Sequence, residues 1–297
     1  MKEGKTGFLM VSMLLAGALV WALWLPDLSA DRNNAGASAD EPLLSHEGMV
    51  EVAGASYWMG CAPNDAICFP PEKPTHAVKL STFFVDVHET TVAEYSKCVD
   101  AGVCSLPNEG PFGEDKREYN LLREDRQTYP VNGVNWNQAQ VYCCWRGKRL
   151  PTEEEFEYLL RDGQSAQVYP WDGDRNVPAG YGNYFDQSAA RAFPKRADDE
   201  VMPYDDGYPG PAPVCSFARN SYGLCDISGN VMEWTASGYT YTYEDQWYAD
   251  YYLKQKKVIR GGGWHSEPAD LRASAREHFE PGATLFATTG FRCASSR

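Results

Sequence analysis

The stretch Val258-Ile-Arg-Gly-Gly-Gly-Trp264 decides how this chain is read, once it is taken with Thr289-Gly-Phe-Arg-Cys-Ala294 in the C-terminal tail. Upstream stand Arg149-Leu-Pro-Thr-Glu-Glu-Glu-Phe-Glu157 and Ser228-Gly-Asn-Val-Met-Glu-Trp234. The motifs are spread over one block without visible repeats, so the 297 residues are read as one large domain behind a short N-terminal segment. Thr152-Glu-Glu-Glu155 is a capping box, in which hydroxyl and carboxylate each satisfy a free backbone N–H. It predicts a helix with Phe156, Leu159 and Leu160 on its buried side.

Working outward, Met49 to Gly60 alternates apolar with small or polar residues, as a first strand does, and His76 to Asp86 predicts a second. Thr91-Val-Ala-Glu94 is another capping box, opening a helix with Val92, Tyr95 and Val99 on one face. A further helix fits Asn135 to Trp145. On it, Cys143 and Cys144 point about 100° apart and cannot both reach one partner. From Asp162 to Asn220, Gly, Pro, Asp and Tyr dominate with no sustained period, which predicts coil.

Gly7 to Leu25 is an apolar run of 19 residues behind Lys2 and Lys5, an arrangement that exports everything after Pro26. It is longer than a signal-peptide core and just reaches spanning length, which favours a retained anchor. Leu28-Ser29-Ala30 offers a cleavage site, so a cleaved, secreted form stays open. Residues 1–30 are therefore a signal peptide or signal anchor, 31–48 a linker, and 49–297 the domain. The formal charge of −14 argues against a nucleic-acid partner and suits bound divalent cations. Nine cysteines behind an export signal imply disulfides. Cys61 and Cys68, Cys98 and Cys104, and Cys215 and Cys225 are each close in sequence and bracket turn-rich segments, so local pairing is expected.

From about Glu47 to Arg297, the motifs in this order and at these separations resemble the formylglycine-generating enzyme (sulfatase-modifying factor) family. The resemblance implies an α+β fold related to C-type lectins, with much ordered coil. It also implies a bridge from Cys143 to Cys293, which leaves Cys144 over. Two structural calcium sites follow from the same resemblance. The first would use Asn183, Tyr184, Asp206 and Tyr208, and the second Asp226, Gly229, Val231 and Glu233. Carboxylate, amide and carbonyl oxygens are what calcium prefers. The plainer alternative is that Asp226 caps a turn and Glu233 forms an ion pair.

Enzymes of the family hold copper(I) on a cysteine pair that follows Gly-Gly-Ser. Here Gly263 takes the place of that serine, Ser266 and Leu271 take those of the cysteines, and no thiol remains between Cys225 and Cys293. Copper(I) selects soft thiolates, so no copper is expected and no catalytic residue is assigned. Met232 and Thr288 depart from the family groove, and Leu160 stands where the resemblance implies a second bridge. The candidate groove comprises Met232, Trp264, His265, His278 and Thr288. The two histidines are either metal ligands or hydrogen-bonded structural residues.

The leading expectation is a non-catalytic ligand-binding or envelope-assembly module, periplasmic or at the cell surface. Its partner would be a protein, peptide or glycan, and its membrane contact would run through the N-terminal segment. The alternative is an oxidoreductase of the same type with a different metal centre, built from His265, His278 or Cys144. Gly238 to Tyr252 is rich in Tyr and Trp, which suits either a binding platform or a loop packed on the domain.

Overall fold

Both long strands expected near the start of the domain are split in two. A computed structural model describes residues 46–107, 119–171, 173–193, 200–244, 255–283 and 287–296. The apolar N-terminal run lies outside the described residues, as does the linker up to residue 45. Met49–Val52 forms β1, Ser56–Met59 β2, His76–Lys79 β3 and Phe83–Asp86 β4. β1 pairs with β4, and β2 with β3, both antiparallel but in different sheets. The break falls at Gly54, where a Cβ would sit 2.9 Å from the Leu80 carbonyl oxygen. Beside it, Ala55 and Leu80 exchange backbone hydrogen bonds of 3.1 and 2.8 Å as both chains pass from one sheet to the other.

Three helices begin at reciprocal caps. α1 (Val92–Asp100) is closed by Thr91 and Glu94, α2 (Trp136–Trp145) by Asn135 and Gln138, and α3 (Glu153–Leu160) by Thr152 and Glu155. On α1 the buried positions are Val92, Tyr95 and Cys98, while Val99 is only partly buried, because the Cys98–Cys104 bridge draws its neighbour inward. α3 is enclosed far beyond one apolar face, since Glu153, Glu155 and Glu157 are buried along with Phe156, Leu159 and Leu160. α4 (Gln187–Ala192) interrupts the expected coil and is capped by Asp186.

The C-terminal half supplies a four-stranded sheet, in the order β7 (Glu277–Phe279), β6 (Lys257–Arg260), β5 (Met232–Gly238) and β8 (Thr289–Gly290). β9 (Ala294–Ser296) returns to pair with β4, and Arg149 and Ala294 exchange backbone bonds of 2.8 and 2.6 Å. One apolar cluster lies between α1, α2 and β5, with Tyr95, Tyr142, Trp234 and Phe291 at its centre. A second, around Phe83, Val85, Phe156 and Leu159, joins the first two sheets to α3. Among the described residues, no helix is long and apolar enough to cross a membrane.

All four expected disulfides form: Cys61–Cys68, Cys98–Cys104, Cys143–Cys293 and Cys215–Cys225. Cys143 is fully buried and Cys144 is free and exposed, as their separation around α2 requires. Thiol titration of the denatured, unreduced protein is expected to find one free thiol, and three or more would contradict the pairing. The Cys143–Cys293 bridge spans 150 residues, so Cys143→Ser should cost roughly 5 kcal/mol by the chain-entropy argument. Cys144→Ser should stay within about 0.5 kcal/mol in the same denaturant titration.

Candidate functional site

Strand β6 leads into Gly261-Gly262-Gly263, and the geometry there explains the run of glycines. A Cβ on Gly262, whose φ is +66°, would lie 2.5 Å from Leu271 Cδ2 and 3.3 Å from Ser266 Oγ. Positions 266 and 271 therefore converge on one point, although neither carries a thiol. The Ser266 hydroxyl oxygen accepts the Gly263 N–H at 3.0 Å. Leu271 is buried among Tyr169, Trp171, Tyr184 and Met202.

Above this point opens a cleft of about 540 Å³, lined by Met232, Trp264, His265 and Thr288 of the candidate groove and by Ser266. Phe69, Asp270, Glu277 and Phe279 also line it, and these the sequence reading missed. His278 is corrected: it does not line the cleft but lies tilted against Tyr239, with ring centroids 3.8 Å apart. Successive side chains of β7 face opposite ways, so Glu277 and Phe279 take the cleft side and His278 the other. The start of the aromatic segment packs on the domain: Tyr239 and Tyr243 both lie against the Arg276 guanidinium. Residues 245–252 of that segment lie outside the described residues.

Several of the expected cation ligands carry oxygens that the fold leaves unsatisfied. Asn183 Oδ1 and Asp206 Oδ2 are buried without a hydrogen-bond partner, and so is Asp226 Oδ1. Asp206 is pushed up to about 6 by burial, with the Asp186 carboxylate adding to the shift. A Cβ on Gly229, at φ +88°, would lie 2.6 Å from the Asn183 carbonyl oxygen and 2.7 Å from the Tyr184 ring. The Asn183–Tyr184 and Asp226–Glu233 segments are thus packed back to back, and only glycine fits between them. Asp206 Oδ1 accepts the Tyr208 N–H at 2.7 Å, and Val231 is fully buried, its N–H donated to Glu89 Oε1 at 3.1 Å.

The plainer roles named for the second set are also present. Asp226 Oδ2 accepts the Cys215 N–H at 2.7 Å, and Glu233 binds Arg292 with contacts of 2.7 to 3.0 Å. Glu89, missed as a lead-in to α1, completes the cluster: its carboxylate also accepts Asn230 Nδ2 at 2.7 Å. Burial raises Glu89 well above the usual carboxylate range, and the charges of Asp226 and Glu233 raise it further. Burial likewise raises Asp226 and Glu233. Three buried carboxylates share the buried Arg292 guanidinium, with His88 and Arg219 adding attraction at Asp226, and a proton or a further cation would offset the excess that is left. A hard cation suits this donor set, in which oxygens stand unpartnered and negative charge is in surplus.

Over residues 34–297 the sequence matches the Sulfatase-modifying factor enzyme 1-like domain. The chain belongs to this family. It is 40% identical over 181 residues to the inactive C-alpha-formylglycine-generating enzyme 2 of Bos taurus, a match covering 58% of this chain and 52% of that protein. The chain thus spans about half the length of the inactive relatives it matches. It is 30% identical over 300 residues to the formylglycine-generating enzyme of Thermomonospora curvata, covering 84% of this chain and 93% of that one. PvdO from Pseudomonas aeruginosa has the same α+β, coil-rich fold, with a TM-score of 0.66 and 25% identity over 84% of this chain and 94% of that one.

Within this sulfatase-modifying-factor fold the Arg292 cluster can be probed directly. Arg292→Met strands Glu233, Asp226 and Glu89 without their guanidinium. The variant should lose about 3–5 kcal/mol at neutral pH, read from its denaturant midpoint. A loss below about 0.5 kcal/mol would mean that the cluster is not held by that charge.

Proposed function

We propose that this chain is an extracytoplasmic sulfatase-modifying-factor domain that binds a ligand or assembles with a partner and does not synthesise formylglycine. The observation that carries this reading is the state of positions 266 and 271. One is a hydroxyl already bound to the Gly263 backbone, and the other is an isobutyl group sunk in an apolar cluster. Copper(I) needs soft ligands, and neither side chain is one. The likeness to inactive formylglycine-generating relatives supports the same reading. Four disulfides are what an oxidising, extracytoplasmic compartment sustains. The N-terminal apolar run would anchor the domain or be cleaved to release it.

The test is incubation with copper(I), oxygen and a Cys-x-Pro-x-Arg peptide, the type of sequence family enzymes oxidise, followed by mass spectrometry. No aldehyde is expected. Conversion of the peptide cysteine to an aldehyde by the unmodified protein would overturn the reading and restore an oxidase.

In this proposal calcium occupies both oxygen-lined sites and ties down coil that has no strand ladder. The unpartnered oxygens of Asn183, Asp206 and Asp226 support it, as does the carboxylate surplus around Arg292. A ligand that binds only the folded state stabilises it by about 2.7 kcal/mol at a hundredfold excess over Kd. Chelation should therefore lower the melting temperature. Asp206→Asn and Asp226→Asn should each remove part of that sensitivity. Asp226→Asn is cleaner than a change at Glu233, because Glu233 also neutralises Arg292. Purified protein that contains no calcium and melts identically with or without chelator would remove both ions from the proposal.

A further inference from the structure

The cleft walls carry many charges, but most are already matched. The Arg272 guanidinium holds both oxygens of Glu72 at 2.6 Å and Asp65 at 2.9 Å. Arg276 takes Glu153 in two contacts of 2.5 and 2.8 Å. Arg260 and Arg161 share Glu157, the latter at 2.9 Å. Four guanidiniums are thus set against four carboxylates, Asp65, Glu72, Glu153 and Glu157. Two carboxylates that line the cleft stand outside this set: Asp270 and Glu277, both exposed. Although the Glu277 residue as a whole is exposed, partial desolvation of its carboxylate against the cleft wall raises it. The negative charge of Asp270 raises it further, so the pair is close enough for repulsion to be felt.

Apart from that pair, the matched charges and the polar His265, Ser266 and Thr288, the lining is largely apolar and aromatic. Phe69 is half-exposed at the lip, and Trp264, Phe279, Met232 and Ile259 form the walls. Aromatic faces and carboxylates together attract organic cations, through the ring quadrupole and through direct charge. A bare divalent ion would fit poorly, because calcium takes six to eight oxygen ligands and this wall offers mostly carbon. An anion is opposed by Asp270 and Glu277 and finds the guanidiniums engaged. The indole N–H of Trp264 is buried in the cleft wall without a partner, which leaves a donor for an acceptor on the ligand body.

We propose that the cleft binds an organic cation, with its ammonium head between Asp270 and Glu277 and its apolar body against Phe69, Trp264 and Phe279. This deepens the binding reading above and rests on it. The net charge of −14 steers such a ligand inward from a distance.

Calorimetric titration of the full chain with phenethylammonium, 2-phenylethanol and phenylacetate tests the charge preference at fixed body size. The ammonium is expected to bind at least about tenfold more tightly than the alcohol, as two partly exposed carboxylates allow, and the carboxylate more weakly than both. N-acetyl-Phe-Lys-amide against its ε-acetylated form shows whether a peptide side chain can supply the head, and a preference for either cationic probe supports the proposal. Asp270→Asn with Glu277→Gln should abolish the preference without lowering the melting temperature, since it removes a repulsion and no matched ion pair. Equal binding of all probes, a preference that survives the double variant, or no binding by any probe would each overturn the cation. Equal binding that includes the neutral alcohol would leave the binding module standing, whereas aldehyde synthesis would sink the module without touching the charge preference.

Discussion

Arg292 stands where the parts of this domain that share no sheet are forced to meet. Its guanidinium donates to both oxygens of Glu233 on β5 and to the carbonyls of Cys225 and Asp226 in the coil. The residue after it carries the Cys143–Cys293 bridge to α2, and the next two pair with β4. A single buried cation therefore registers the four-stranded sheet, the long coil and the C-terminal strand against one another. Such a group is held in place only if its partners stay charged, and Glu233, Asp226 and Glu89 are all biased toward the neutral form by burial. The packing and the electrostatics pull against each other here, and an added cation would relieve the conflict that Arg292 alone leaves.

The coil between α3 and β5 is ordered by a related device. Asn230, at φ +57°, accepts from Ala212 N at 2.8 Å and donates to Glu89, and Asn183 donates to Gly210 O at 2.9 Å and reaches Asn230 at 3.3 Å. Side-chain amides thus do for this segment what ladder bonds do for a sheet. That is why a stretch without periodicity still buries Tyr184, Phe185 and Met202. Buried amides cost free energy unless they are paired, so the bonds of Asn183 and Asn230 are what offset the burial of this segment.

Features fixed by neighbours in sequence were legible without coordinates. The Thr91 and Thr152 caps and the three short disulfides depend on spacings of a few residues, and each forms. The Asn135–Gln138 cap was equally visible in principle, and only the helix it opens was read. What escaped was set by distant partners. Gly54 splits a strand because Leu80 approaches it, Glu89 is a buried cluster member because Asn230 lies above it, and Phe69 reaches the cleft through the Glu72–Arg272 pairing. His278 was misplaced by a single strand position, the error to which a short edge strand with polar residues on both faces is most exposed.

The cleft and the coil network differ in one physical respect that separates their roles. In the network, charges are buried and over-supplied with carboxylate, so its chemistry is directed inward at whatever holds the fold together. In the cleft, every guanidinium has its carboxylate and the surplus lies at the exposed lip, so its chemistry is directed outward. Leu271 lies on the boundary between the two. It packs behind Gly262, which lines the cleft, and at the same time fills the apolar cluster of Tyr169, Trp171 and Tyr184. A thiol there would leave a void behind Gly262, at a cost of the order of 1–3 kcal/mol for the lost methyl groups. The position that would have to carry redox chemistry is therefore the one the packing of the coil depends on, and stability and metal ligation make opposite demands of it.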